Sequence, residues 1–210
     1  AQTIFGIAPA TSGVIQVRGK PVTIRDPQTA MALGLAYVPE DRQHHGLLLP
    51  MSIAQNITLP NLRHFSRGGW LDNGGERRAA VAAADQMEVK RTSVTQKVNE
   101  LSGGNQQKVV LAKWLSTNPA ILILDEPTRG IDVGTKSAVH ALMSQLAAQG
   151  MAILMISSEL PEILGMSDRV LVMREGRLTG HFSRAEATQE KIMQAATLGQ
   201  SLAAVPAEAI

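Results

Sequence analysis

The sequence predicts an α/β fold built on a mainly parallel sheet, with a helical segment inserted into it. Three observations lead there. Short, wholly apolar runs such as "ILIL" at 121–124 and "MAILMI" at 151–156 alternate with helix-period segments. Strands of this kind are buried on both faces, which is the condition of a parallel sheet covered by helices. Residues 50–99 break the alternation with two helical patterns in a row, "MSIAQNITL" and "ERRAAVAAADQM". The chain has 210 residues, of which 44% are hydrophobic, enough for a folded domain with a sizeable core.

In chain order, "AQTIFGI" reads as the last turn of a helix that starts elsewhere, so the sequence is expected to be a fragment. "VIQVRGKPVTI" alternates apolar and polar residues on both sides of Gly19, a hairpin pattern. "LAYVPEDR" is a short strand at 35–38 stopped by Pro39. The helices of 50–99 flank "SRGGWLDNGGE", read as a loop, and Trp70 within it is expected to pack on the helical segment. A helix from Ser102 leads to the strand "AILILD". The next helix starts near Asp132, places Val139, Leu142, Met143 and Leu146 on one face, and stops at Gly150. "MAILMI" is a strand, "ELPEILGM" a short helix, and "RVLVM" and "RLTGHF" two further strands. Ser183 with Glu186 forms a capping-box pattern for the last helix, and a loose tail follows Gly199.

Composition excludes several functions. Lys and Arg total 20 against 18 for Asp and Glu, so the formal charge of +2 contains no basic stripe for nucleic acid. There is no cysteine, hence no disulfide frame and no thiolate metal site. His44 and His45 have no third ligand nearby and are read as exposed residues. No apolar run approaches the roughly 18 residues of a membrane span, and the N-terminus lacks a signal-peptide layout, so any membrane role is peripheral.

In open parallel sheets, ligands sit at the carboxyl ends of strands. Two ends here carry acids or hydroxyls: Asp125 with Glu126, and Ser157 with Ser158. Asp125 has two readings, a carboxylate that holds Mg²⁺ through water or a cap on the turn into "PTRG". Glu126 is placed to polarise an attacking water. In "LSGGNQQK", Ser102 can cap the helix, Gly103 and Gly104 allow close approach, and the first-turn amides favour an anion such as phosphate; a plain glycine loop before a core helix is the alternative.

Taken together, "LSGGNQQK", "LILDEP", "RGID" and "SDRVLVMREGRL" resemble the ATP-binding cassette of ABC transporters, a P-loop NTPase-like fold. More narrowly, "YVPEDRQHHGLLLPMSIAQNI" and "ISSELPEILGMSDRV" are similar to the second cassette of double-cassette ATPases that energise bacterial monosaccharide importers of the ribose, galactose, rhamnose and autoinducer-2 group. The resemblance covers residues 1–200. It implies a partial nucleotide-binding domain: a core remnant at 1–49, a helical subdomain at 50–101, and core again at 102–200, with a loose tail at 201–210. It implies ATP and Mg²⁺ as cofactors, Ser102, Gly103, Gly104 and Gln106 in the signature, Asp125 as the metal carboxylate, Glu126 as the catalytic glutamate and Asp132 as the D-loop aspartate. It also implies as partners another cassette, transmembrane permease subunits docked near "HHGLLLPMSIAQNI" and, indirectly, a periplasmic sugar-binding protein. The expected location is the cytoplasmic face of the bacterial inner membrane.

Two positions depart from most cassettes. Glu40 stands where a glutamine usually contacts Mg²⁺, and is read as a coupling residue compensated by Mg²⁺ or Arg42. Ser158 stands where a switch histidine is usual, and is also read as a helix N-cap. No G-x-x-x-x-G-K-[ST] motif occurs: Gly19-Lys20 lacks a glycine at position 14 and is followed by Pro21. The chain is thus expected to begin just after the P-loop, to hydrolyse no ATP alone, and to be poorly stable for want of the strand that feeds that loop. In this family cassettes meet head to tail, so the signature loop is expected to complete the partner's site. Three functions remain: an ATPase component of a sugar importer, a catalytically silent docking cassette, and, disfavoured for lack of basic clusters and coiled-coil heptads, a non-transport cassette ATPase.

Overall fold

Residues 1–198 are described in a computed structural model, Arg67 by its backbone alone. The tail expected at 201–210 lies outside the described residues. The chain divides into two compact units, Ala1–Ile156 and Ser157–Ile210.

In the first unit, β1 (Ile15–Val17) and β2 (Lys20–Val22) form the expected antiparallel hairpin, with Ile15 opposite Val22. Its two turn residues, Arg18 and Gly19, have φ of 53° and 73°, the left-handed pair that matches the twist of a two-residue hairpin. Helix α1 (Pro27–Ala32) was not anticipated, although Asp26 accepts from Thr29 N and Pro27 opens the helix, a standard start. The parallel sheet has three strands in the order β3 (Leu35–Val38), β6 (Ile121–Asp125) and β7 (Ala152–Ile156). Val38 lies beside Leu124, and Asp125 beside Ile156. All four β3 residues are buried, whereas β7 is half-exposed and Leu154 keeps 36% of its surface in water.

One core gathers Phe5, Ile24, Ala30, Leu35, Tyr37 and Ile123. Phe5 meets the Trp114 ring edge-on at 5.3 Å and Tyr37 at 5.5 Å, so the first turn of the chain is packed against the sheet. Helix α4 (Gly103–Leu115) buries Val109, Val110, Leu111 and Ala112, and α5 (Val133–Ala148) buries Val139, Met143 and Leu146, the face the sequence predicts. Each buried Val, Leu or Met among them contributes about 1.5–3 kcal/mol.

The inserted segment holds α2 (Ile53–Thr58), opened by a Ser52–Gln55 capping box, and α3 (Asn73–Gln86), capped by Asp72. Between them, "SRGGWLDNGGE" is not one loop. Ser66–Arg67 (β4) and Trp70–Leu71 (β5) pair as a minute hairpin about Gly68 and Gly69, and Asn73 to Glu76 already belong to α3. Trp70 does not pack as expected but is 83% exposed, because two-residue strands offer no face to cover it. Fully buried Asn56 pins the segment before α2: its side chain accepts from Leu48 N at 2.8 Å and donates to Leu48 O and Ser52 O at 3.0 Å each.

The second unit contains α6 (Leu160–Met166), β8 (Arg169–Arg174), β9 (Arg177–Ser183) and α7 (Gln189–Leu198), packed around Val170, Val172, Ile192 and Ala195. Strands β8 and β9 pair antiparallel as a separate two-stranded sheet. The reason is local: Glu175 and Gly176, with φ of 49° and 76°, make a two-residue hairpin turn. Only half of the Ser183–Glu186 box is made: Ser183 N and Oγ donate to Glu186 Oε2, while the Glu186 amide donates to Ser183 O, and the pair closes the turn before α7; Thr188 takes the position before that helix and accepts from Lys191 N at 3.3 Å.

Candidate functional site

Asp125 ends β6 at the carboxyl edge of the sheet. One strand over, the Tyr37 hydroxyl donates to its Oδ2 at 2.9 Å. Burial, then this bond to Asp125, hold the Tyr37 hydroxyl well above the ordinary value of 10.0. A side chain that the sequence reading passed over therefore orients the carboxylate; no local pattern marked it, because the two residues meet only where β3 pairs with β6, 88 positions apart in the chain. Glu126 follows with φ of 47°, a left-handed conformation that costs a non-glycine residue about 1–3 kcal/mol. It is held there by its amide, which donates to Ile156 O at 2.9 Å, and by its carbonyl, which accepts from Arg129 N at 3.1 Å. Such a sharp bend turns the glutamate away from the strand line.

Among the described residues no three His, Cys, Asp or Glu side chains gather as a metal cage. A single oriented carboxylate fits Mg²⁺, which keeps most of its waters and takes phosphate oxygens as its other ligands.

At the start of α4, Ser102 holds the N-cap position, yet its side chain makes no capping bond. Its Oγ accepts instead from Asn105 Nδ2 at 2.9 Å, and Asn105 Oδ1 accepts from Lys90 N at 2.8 Å. This differs from the expected cap, and it sets Ser102 apart from Asp26, Ser52, Asp72 and Asp132, whose side chains each accept from the amide three residues on. The two glycines serve internal packing. A Cβ on Gly104 would lie 2.5 Å from Thr135 Oγ1 and 3.2 Å from Asp132 Oδ2, and one on Gly103 would lie 2.8 Å from Arg42 Nη2. Asp132 caps α5, accepting from Thr135 N at 2.9 Å and from Thr135 Oγ1 at 2.8 Å, and these bonds, the amide's first, hold its carboxyl below the usual range. Gln106 is buried; it donates to Val98 O and accepts from Gln43 Nε2, each at 3.2 Å.

Glu40 is compensated by a different base from the one anticipated. It forms an ion pair with Arg129, while Arg42 donates to the backbone carbonyls of Arg129 and Gly130 at 3.0 and 3.2 Å. Arg42 does so because a turn capped by Asp41 carries residues 42–46 across the start of α4. His44 is exposed, with Nδ1 2.8 Å from Asp41 Oδ2. The structure thus gathers Ser102, Gly103, Gly104, Arg42 and Asp132 in one cluster, and joins Asp125 and Glu126 with Tyr37 at the end of β6. Ser158 belongs to the second unit. It is not the N-cap of α6: Glu159 takes that place, and Ser157 Oγ accepts from Glu159 N at 3.0 Å.

The sequence profile described as "ABC transporter" matches residues 1–129. The chain belongs to the ABC transporter family. Solved ATP-binding cassettes confirm the fold. A nucleotide-free cassette from an ABC transporter superposes with a TM-score of 0.77 at 20% identity, over 92% of this chain and 80% of the other. A dimeric post-hydrolysis cassette bound to ADP and Pi gives 0.73 at 21% identity, over 87% and 78%. Among curated proteins, this cassette is 57% identical over 197 residues to ribose import ATP-binding protein RbsA 1 of Streptomyces coelicolor, covering 94% of this chain and 39% of that one. It is 54% identical over 202 residues to the RbsA protein of Rhodococcus jostii, covering 96% and 40%. The chain therefore spans about two fifths of the length of these relatives. No helix among the described residues is long and apolar enough to cross a membrane.

Proposed function

We propose that this cassette is part of an ATPase that powers bacterial uptake of a monosaccharide, and that its contribution is the loop Ser102–Gly104, offered to ATP held by a partner cassette. One observation carries the reading: unlike α1, α2, α3 and α5, though like the short helix α6, α4 leaves its first-turn amides without the side-chain acceptor its N-cap residue would supply. A helix N-terminus in that condition favours an anion, and a γ-phosphate is the anion the family handles. The names of the relatives, ribose import ATP-binding proteins, support monosaccharide import.

Within the chain's own site, Asp125 would hold Mg²⁺, which neutralises charge on the transferred phosphoryl group, and Glu126 would orient the attacking water. Tyr37 keeps Asp125 Oδ2 aimed by its hydrogen bond. The given residues include no P-loop to cradle the phosphates, so the 210 residues by themselves are expected to turn over no ATP. The partners fit the same reading: a second cassette, permease subunits at the cytoplasmic face of the inner membrane, and a periplasmic sugar-binding protein upstream of them.

The test is Ser102→Arg in the full-length protein assembled with its permease. Filling the anion position is expected to lower ATP turnover and transport by about 100-fold or more, by comparison with the removal of one preorganised donor. Unchanged transport would sink the assignment.

A further inference from the structure

The bond pattern of Arg42 has no counterpart in the roles the sequence assigned. Its guanidinium reaches two segments at once. Nη1 donates to Arg129 O at 3.0 Å and Nη2 to Gly130 O at 3.2 Å, on the turn that runs from Glu126 to Asp132. The same Nη2 lies where a Cβ on Gly103 would come within 2.8 Å, so the absence of that Cβ is what lets the group seat against the start of α4. The Glu40–Arg129 ion pair closes the ring at the surface, where it contributes little by itself. Arg42 is in turn fixed by its own turn: Gln43 Nε2 donates to Gln106 Oε1 at 3.2 Å, and Lys113 Nζ donates to Gly46 O at 3.0 Å, both on α4. A planar fork can hold two successive carbonyls in a fixed relation; an ammonium at the same place cannot.

We propose that Arg42 is a positioning residue. Its fork sets the turn carrying Asp132 against the helix start carrying Ser102, so that both are presented to the partner's nucleotide as one surface. A displacement of residues 40–46 then shifts the signature and the D-loop together. This rests on the reading of Ser102–Gly104 as the partner-facing loop.

The experiment uses the full-length protein, with Arg42→Lys and Arg42→Gln, and measures steady-state ATP hydrolysis, melting, and backbone amide exchange. Arg42→Lys is expected to lower kcat by about 10- to 100-fold, the scale of a small misplacement of catalytic geometry. KM for MgATP should stay within about twofold, because ATP itself is bound elsewhere. Amide exchange should rise in 102–105 and 127–132 and stay unchanged in 121–125. Wild-type kcat in Arg42→Lys overturns the proposal, as does a fall in kcat that tracks a fall in melting temperature in both variants. Ser102→Arg serves as the control: if it too leaves turnover intact, the reading of the loop has failed; if it abolishes turnover while Arg42→Lys is silent, only the role of Arg42 has failed.

Discussion

Replacing Gly104 by alanine tests whether the glycine is needed for packing inside the chain. The added methyl would sit 2.5 Å from Thr135 Oγ1 and 3.2 Å from Asp132 Oδ2, below any ordinary carbon–oxygen contact. Overpacking of this kind costs about 1–3 kcal/mol. Alanine returns up to about 1 kcal/mol of helix propensity, less in the first turn. The net loss is thus about 1–2 kcal/mol, or roughly 2–8 °C of melting temperature at this chain length. Thr135→Ala removes the nearest atom and leaves the Thr135 amide on Asp132, but the Cβ at position 135 and Asp132 Oδ2 remain 3.2 Å away, so the double variant should recover part of the loss attributable to Gly104→Ala. Gly165 in α6 has nothing within 4 Å of its would-be Cβ, and there alanine should be neutral or stabilising. Thermal melts of the four variants decide the matter. If Gly104→Ala melts with the parent, or the Thr135→Ala background brings no recovery, the close approach of α4 to α5 is not what requires glycine.

The chain contains one tyrosine, so alkaline absorbance reads Tyr37 alone. Burial and the Asp125 bond raise its folded value above 10.0, so the native state keeps a proton the unfolded state loses; this stability is complete below pH 10 and declines above it. A native phenolate step coinciding with that of the urea-unfolded chain would contradict the bond, and Tyr37→Phe should flatten the alkaline decline. Asn56→Leu should cost about 2–3 kcal/mol in urea unfolding, because Leu48 loses the partners of both its amide and its carbonyl; a loss under about 0.5 kcal/mol would show that water replaces them. Glu126→Gly should relieve the left-handed backbone and stabilise the chain by up to about 1 kcal/mol, while lowering turnover of the full-length protein if Glu126 orients water; destabilisation would mean the glutamate side chain supports the turn. Magnesium-dependent ATP hydrolysis by the 210 residues alone, abolished by Glu126→Gln, would overturn the expectation that they lack a working site.

Sequence alone determined the elements whose cause is local. Apolar runs specified β3, β6 and β7; 3.6-residue periodicity specified the buried face of α5; the glycines at 19 and 150 marked a turn and a stop. The motif spacing was enough to identify the family, because signature, strand-end carboxylates and D-loop stand in a set order along the chain. Tertiary structure decided what depends on partners remote in sequence. Tyr37 reaches Asp125 across 88 positions and Arg42 reaches Gly130 across the same number, and no local pattern marks either pair. Glu40 paired with Arg129 and not with its neighbour in "EDR", because the turn after Asp41 swings Arg42 toward α4. The glycines of "LSGG" read in isolation as room for a phosphate; the fold shows that their missing Cβ atoms are what let Arg42 and Thr135 pack against the helix start. A hydrogen bond or a close contact is a property of two surfaces, and the chain states only one of them at a time.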